Sequence, residues 1–191
     1  MIRSSLTQTL RSAAAGLYWG SRHLVSHATD KVLILMYHRV IPRGDAASTF
    51  VQPGMFVTPA TFNRHLRFLS SHFELLSFQD LLDRWEDGTW DPGRRYCTIT
   101  FDDGWLDNYR YAYPLLTAYG APATIFLPTD LIGTDDWLWS DRLGYLFHRR
   151  SALKNPGQWG SLVERVKALP DDPRTRGVET LERATGVRHP E

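Results

Sequence analysis

Apolar residues in this chain occur both in short continuous runs and at helical spacings. The run over residues 32–40 is rich in β-branched and aliphatic side chains and is bounded by Pro42 and Gly44, which predicts a buried strand. Similar runs predict three more strands, at residues 73–78, 96–101 and 123–127. Each run has the length of a strand rather than that of a helix.

Amphipathic helices are predicted between these runs. One begins after Thr58, whose hydroxyl can cap it, carries Pro59 in its first turn and ends near residue 72. Its buried face is expected to carry three apolar side chains, those of Phe62, Leu66 and Leu69. Two further helices are predicted, at residues 79–85 and at residues 107–119, the second ended by Gly120.

The alternation of strands and helices predicts an α/β fold with a parallel sheet and right-handed crossovers. Only four strand–helix units are visible, whereas a closed eight-stranded barrel takes about 250 residues, so a partial (β/α) barrel is expected. Beyond residue 134 the pattern predicts helices near residues 137–147, 162–169 and 179–185. The predicted organisation is an N-terminal helical extension at residues 1–29, the first half of a barrel at residues 30–133, and a helical insertion or tail at residues 134–191.

Composition excludes several function classes. The chain has 191 residues, and its 22 Lys and Arg side chains nearly balance 21 Asp and Glu side chains, which gives a formal charge of +1. No nucleic-acid partner is therefore expected, because polyanion binding depends on an excess of positive charge. Cys97 is the only cysteine, which excludes an internal disulfide and a thiolate metal cluster.

The first 29 residues contain three arginines, no acidic side chain and apolar residues at helical spacing. They predict an amphipathic helix that packs on the domain, with contact to a membrane surface as the alternative. The segment lacks the compact apolar region of an export signal. The expected location is the cytoplasm, with a peripheral membrane association through this helix as the alternative.

The strongest chemical signal is a pair of acids, Asp102 and Asp103, that closes the strand at residues 96–101. In α/β folds, active sites lie at this end of the strands. Neighbouring strand residues point to opposite faces, so both carboxylates can serve one site only if the chain bends, which Gly104 permits. One carboxylate can then bind a cation while the other accepts a proton. In the alternative, structural interpretation, the acids cap the next helix or pair with one of three arginines: Arg94, Arg95 or Arg110.

The surrounding segments resemble the polysaccharide deacetylase family, which includes chitin and peptidoglycan deacetylases. The segments that carry the resemblance are Leu35-Met36-Tyr37-His38-Arg39-Val40, Phe56-Val57-Thr58-Pro59, Thr100-Phe101-Asp102-Asp103-Gly104-Trp105, Tyr113-Pro114-Leu115-Leu116, Pro122-Ala123-Thr124-Ile125-Phe126-Leu127 and Trp139-Ser140-Asp141-Arg142-Leu143. The first is similar to the opening strand of a subgroup with a Tyr-His pair. The resemblance extends from about residue 32 to about residue 146 and implies a partial barrel of the deacetylase type.

The resemblance implies a metal-dependent hydrolase that removes N-acetyl groups from an amino-sugar polysaccharide or glycoconjugate. Asp103 matches the family's metal-binding aspartate, and Asp102 matches the general base that activates water. The implied cation is divalent, with Zn²⁺ the first choice. His38 matches a histidine that can give a proton to the leaving amine, with a buried structural histidine as the alternative.

Two of the family's three metal ligands have no match in this sequence. They form a histidine pair spaced i and i+4 after the strand at residues 123–127, where this chain has only His148 and His189, far apart. His23 and His27 have the spacing but precede the first strand, so they are interpreted as solvated helix residues. The chain is therefore expected to be an incomplete deacetylase, weakly active or inactive by itself.

Two other interpretations stay open. In the first, the chain is a non-catalytic carbohydrate-binding or regulatory remnant of the same fold, and aromatic side chains form its sugar-stacking surface. The candidates for that surface are Trp105, Trp137 and Trp139, whereas in the enzyme Tyr37, Trp105 and Trp139 either line a sugar groove or simply pack in the core. In the second, the paired acids hold Mg²⁺ at a phosphoryl-transfer site. This is ranked last, because no glycine-rich phosphate loop accompanies them.

Overall fold

Four parallel strands form the main sheet of the computed structural model. It describes residues 32–48, 51, 54–91, 93–149 and 156–187, so the helix expected at residues 1–29 lies outside the described residues. Within those ranges, no helix combines the length and the apolar content needed to cross a membrane.

Six strands and seven α-helices make up the described chain. The strands are β1 (Val32–Tyr37), β2 (Arg39–Val40), β3 (Phe56–Val57), β4 (Glu74–Leu76), β5 (Tyr96–Asp102) and β6 (Ala123–Phe126). The helices are α1 (Arg43–Ser48), α2 (Pro59–His72), α3 (Phe78–Asp87), α4 (Tyr113–Ala118), α5 (Trp139–Arg149), α6 (Pro156–Lys167) and α7 (Asp171–Thr185). A π-helix at Asn108–Ala112 leads into α4, and a short 3₁₀ helix spans Thr129–Leu131.

Strand β5 is the centre of the main sheet. β1 runs parallel to it from the pair Val32 and Tyr96 to the pair Tyr37 and Phe101. β4 pairs with the first part of β5 and β6 with its last part, both in parallel. The predicted α/β architecture with a parallel sheet is confirmed, whereas a barrel is not seen in the part of the chain that the structure describes.

The prediction of one buried strand over residues 32–40 is wrong in two respects. β1 ends at Tyr37, and β2 belongs to a separate two-stranded sheet with β3. In addition, Ile34 and Met36 are 54% and 61% exposed, because the described helices cover only one face of β1. The physical reason is the two-residue period of a strand, which sends alternate side chains of a continuous apolar run to opposite faces.

Helix α2 matches its prediction closely. The Thr61 amide donates to the Thr58 hydroxyl at 3.2 Å, Pro59 occupies the first turn, and the helix ends at residue 72. Its three predicted apolar residues are buried against β1 and β5: Phe62, Leu66 and Leu69. Burial of each such side chain contributes about 1.5–3 kcal/mol, so this face fixes the helix on the sheet.

Two other predicted boundaries move because of local backbone chemistry. The strand expected to reach residue 78 stops at Leu76, since Ser77 and Asp80 form a reciprocal capping box that begins α3. The helix expected at residues 107–119 starts as a π-helix before it continues as α4. Pro114 lies at the start of α4, where its missing N–H would interrupt a regular α-helical ladder.

The C-terminal helices surround a second apolar cluster, separate from the core beneath the sheet. Its buried members are Leu143, Leu146, Val163, Val166 and Val178. The three predicted helices are present with shifted bounds: α5 is displaced by two residues toward the C-terminus, α6 begins and ends earlier than predicted, and α7 begins earlier. A buried ion pair links α5 to α7, in which Arg142 Nε donates to Glu182 Oε1 at 2.9 Å and Arg142 Nη2 donates to Glu182 Oε2 at 2.5 Å.

Replacement of one partner of this pair should destabilise the packing of the three C-terminal helices, α5, α6 and α7, which together form the helical half of the chain. The Arg142 and Glu182 side chains are only 15% and 9% exposed, so Glu182→Gln leaves a desolvated guanidinium without its counter-charge. A buried charge that loses its partner costs about 3 kcal/mol. Urea titration followed by far-ultraviolet circular dichroism should show a loss of unfolding free energy of that order.

Asp171→Asn is the matched control, because the Asp171 carboxylate pairs with Arg174 at 3.0 Å but is 92% exposed. Exposed pairs contribute little, so this change should leave the urea midpoint almost unmoved. Equal effects of the two substitutions would contradict the stabilising role assigned to the buried pair.

Candidate active site at the end of strand β5

The chain turns sharply where β5 ends. Asp103 and Gly104 both have left-handed backbone, with φ of +72° and +68°. A Cβ atom on Gly104 would lie 2.3 Å from Leu127 Cδ2, so a larger residue there would displace that side chain. The bend that the sequence placed at Gly104 is present, and Asp103 shares it.

His38 lies beside Asp102. The imidazole Nε2 is 3.8 Å from Asp102 Oδ2, with the two side chains 20% and 29% exposed. The cause is strand register: Tyr37 pairs with Phe101, so the residues that follow them emerge together at the carboxyl end of the sheet. This distance is too long for a direct hydrogen bond but allows an electrostatic interaction.

Asp103 faces a neighbouring cavity of about 350 Å³. Its Oδ2 accepts a hydrogen bond from the Trp105 indole N–H at 3.3 Å. The other lining residues include Arg39, Trp137 and Asp141, whereas Asp102 is not among the described residues of the lining. The two acids therefore have different surroundings, one next to a histidine and the other in an aromatic and acidic cavity.

The alternative in which an arginine neutralises the pair has no support at Arg94. That guanidinium pairs instead with Glu74 at 2.6 Å and with Asp91 at 3.2 Å. The Glu74 carboxylate is the main reason that the pKa of Arg94 is raised.

Asp107 and Asn108 contact the chain around His38, which the sequence did not indicate. Both Nε and Nη2 of Arg39 donate to Asp107 Oδ2 at 2.8 Å, and the Val40 amide donates to Asp107 Oδ1 at 3.0 Å. The Asn108 side-chain amide donates to the His38 carbonyl at 3.0 Å. Nothing in local spacing signals these contacts, because the partners lie about 70 residues apart in sequence.

The aromatic candidates separate into two groups. Trp105 and Trp137 line the cavity beside Asp103. Tyr37 does not: its ring packs on Phe62 and Phe101, and burial raises its pKa to about 12. Trp139 packs against the C-terminal apolar cluster, and neither Tyr37 nor Trp139 is among the described residues that line this cavity. Whether an aromatic ring lines the cavity or packs against an apolar cluster depends on the neighbouring elements of the folded chain.

Asp141 is one of three carboxylates of the cavity, with Asp103 and Asp136, and its sequence neighbours indicated no role for it. Burial raises its pKa from 3.8 to about 6, and the nearby negative charge of Asp103 acts in the same direction. The positive charge of Arg39 and a hydrogen bond with Ser140 act against this shift. The only sequence signal was its place in the Trp139-Ser140-Asp141 segment.

The residues described here do not make a complete metal site. A zinc site at a catalytic centre takes three protein ligands. Over the described ranges, no group of three His, Cys, Asp or Glu side chains is close enough to hold one ion. Asp103 can supply one oxygen ligand, so the described ligand set is incomplete.

The raised pKa of Asp141 predicts a specific pH dependence of stability. Since the folded protein binds this proton more tightly than the unfolded chain, the contribution of Asp141 to the unfolding free energy falls as the pH rises from about 4 to about 6. Relative to Asp141→Asn, wild type should therefore lose stability across this window. Urea titrations at a series of pH values measure the difference, with the exposed Asp87→Asn as a control. A difference between wild type and Asp141→Asn that stays constant with pH would contradict the prediction.

The sequence of the site region is similar to known deacetylases. Residues 90–164 match the family model described as Polysaccharide deacetylase. YxkH of Bacillus subtilis strain 168, whose name assigns it to the polysaccharide deacetylases, is 35% identical over 105 residues, which cover 54% of this chain and 34% of YxkH. The chain thus spans about a third of the length of this curated relative.

Two solved structures are also similar, each over about half of its own chain. The Streptococcus pyogenes deacetylase PplD, in complex with acetate, has 28% identity and a TM-score of 0.46 over 58% of this chain and 49% of PplD. IcaB from Ammonifex degensii has 24% identity and a TM-score of 0.47 over 60% of this chain and 47% of IcaB. The match to the polysaccharide deacetylase family model contains the acid pair at the end of β5, so residues 90–164 of this chain are similar to that family.

Proposed function

We propose that this chain carries part of the active site of a hydrolase that removes N-acetyl groups from an amino-sugar polysaccharide or glycoconjugate. The observation that supports it most is the placement of His38 3.8 Å from Asp102, at the strand end that lies within the family match. The carboxyl ends of parallel strands are where α/β enzymes hold their catalytic groups.

Asp102 is the proposed general base. As a carboxylate it takes a proton from the water whose oxygen forms a bond to the acetyl carbonyl carbon. The carbon–nitrogen bond then breaks, acetate is formed, and the amine nitrogen takes a proton to leave as a neutral or protonated amine. His38, adjacent to Asp102, is the proposed donor of that proton.

Asp103 is proposed as one ligand of a divalent cation, with Zn²⁺ the first choice. When bound, such a cation polarises the carbonyl and lowers the pKa of water. Because the described residues give an incomplete ligand set, the remaining ligands would have to come from elsewhere, and no step above is assigned to the ion.

The cavity beside Asp103 is the proposed sugar-binding surface. Trp105 and Trp137 offer aromatic faces, on which the apolar face of a sugar ring can stack. Asp136 and Asp141 line the same cavity and offer oxygen acceptors to sugar hydroxyls. This composition also supports a second candidate, a carbohydrate-binding function without catalysis.

Removal of the proposed base should abolish most of the hydrolysis. With acetylated chito-oligosaccharide and added Zn²⁺, we expect the chain to release acetate slowly, and Asp102→Asn to lower kcat by about 10²- to 10⁴-fold, the usual contribution of general base catalysis. Acetate release is followed by a coupled enzymatic assay, and Asp87→Asn, on the exposed surface of α3, should match wild type.

Binding of the same oligosaccharide separates the two candidate functions. Binding that persists in EDTA and in Asp103→Ala, without acetate release from wild type, would favour the non-catalytic candidate. Acetate release that Asp102→Asn leaves unchanged would contradict the assignment of Asp102 as the base.

A further inference from the structure

We propose that Asp107 and Asn108 are positioning residues that set the geometry of Asp103 at the end of β5 and of His38, the histidine beside Asp102. The inference rests on the proposed function in one respect, that Asp103 and His38 act in catalysis. Its structural content is a set of contacts that extends from Asp107 and Asn108 in two directions.

The first direction is the main chain around His38. This residue lies in neither β1 nor β2, so strand pairing does not fix its backbone. Instead, the Asn108 side-chain amide donates a hydrogen bond to the His38 carbonyl at 3.0 Å. The Asp107 carboxylate accepts a hydrogen bond from the Val40 amide, also at 3.0 Å. The main chain on the C-terminal side of the His38 imidazole is therefore fixed by the adjacent side chains of Asp107 and Asn108.

The second direction leads to Asp103 through two side chains. Asp107 accepts from two nitrogens of the Arg39 guanidinium at 2.8 Å, and this planar group stacks on Trp105 with 4.0 Å between its central carbon and the ring centroid. The indole N–H then donates to Asp103 Oδ2 at 3.3 Å. The position of Arg39 on the ring restricts the orientation of the indole, and the indole restricts the carboxylate.

Burial makes this set of contacts rigid. Asp107 is 8% exposed and Asn108 3% exposed. The Asp107 carboxylate and the Asn108 side-chain nitrogen have partners that are costly to lose in a low-dielectric interior, whereas the buried Asn108 Oδ1 has no hydrogen-bond partner among the described residues. Asp107 directly precedes the π-helix, yet its side chain makes no capping bond there. Its carboxylate instead accepts hydrogen bonds from the Arg39 guanidinium and the Val40 amide.

The test uses Asp107→Asn, which keeps the side-chain shape and removes the charge that holds Arg39. The Trp105 indole signal in ¹H–¹⁵N NMR spectra, assigned by its loss in Trp105→Phe, should shift and exchange with solvent several-fold faster. Arg39→Lys, which keeps the positive charge but lacks a planar group to stack on the ring, should have the same effect. Asp87→Asn is the control and should leave this signal unmoved.

Kinetics distinguish positioning from a general structural role. At a temperature where circular dichroism shows each variant folded, Asp107→Asn should lower kcat for acetate release by about 10- to 100-fold, with KM changed less than about two-fold, as expected when reacting groups are misplaced. A purely structural role would lower the melting temperature and leave kcat of the folded protein unchanged.

Each outcome has a defined meaning. If the indole signal responds but wild type releases no acetate, the positioning contacts stand and the proposed function fails. If acetate is released and Asp107→Asn alters neither kcat nor the indole signal, the inference is overturned. Should both variants fail to fold, hydrogen exchange of wild type decides: protection of the Val40 amide and the Trp105 indole supports the inference, and exchange at unprotected rates overturns it.

Discussion

The parallel pairing of β1 with β5 is the interaction on which the candidate site depends. In its register Tyr37 lies opposite Phe101, and the residues that follow, His38 and Asp102, meet at one end of the sheet. A slip of one residue would send each side chain to the other face. The stacked rings of Tyr37 and Phe101, packed on Phe62 of α2, lie directly beneath this end and hold the register.

The turn after β5 gives the two adjacent acids different environments. Regular strand geometry would place their side chains on opposite faces. The left-handed backbone at Asp103 and Gly104 instead directs Asp103 toward Trp105 and its cavity, while Asp102 stays beside the histidine. Such backbone costs of the order of 1 kcal/mol or more at a non-glycine residue, and strain of this kind is concentrated at functional sites.

The helical half of the chain contributes the outer wall of the cavity. Trp137 and Asp141 come from this half, whereas Arg39 and Asp103 come from the sheet. The wall is supported by the apolar cluster among α5, α6 and α7 and by the buried ion pair between α5 and α7. The cavity therefore lies between parts of the chain that pack on two separate apolar clusters.

Much of this protein was predictable from local sequence. Helical periodicity identified α2 with its cap and buried face, and the Asp-Asp-Gly sequence located the bend at Gly104. The local sequence pattern did not predict strand limits or side-chain burial where these depend on tertiary packing. It merged β1 and β2 into one buried strand, and it left open whether Tyr37 lines a groove or packs against the core, as it does.

The sequence by itself determined the strand–helix order, the caps and the acid pair, because each depends on residues within a few positions of one another. Only the tertiary structure decided that Arg39 pairs with Asp107, that Asn108 holds the His38 carbonyl, and that Asp141 shares a cavity with Asp103. Those contacts join residues far apart in the chain, and a hydrogen bond or a desolvated carboxylate depends on the atoms that surround it in the folded state. Sequence spacing carries no record of that environment.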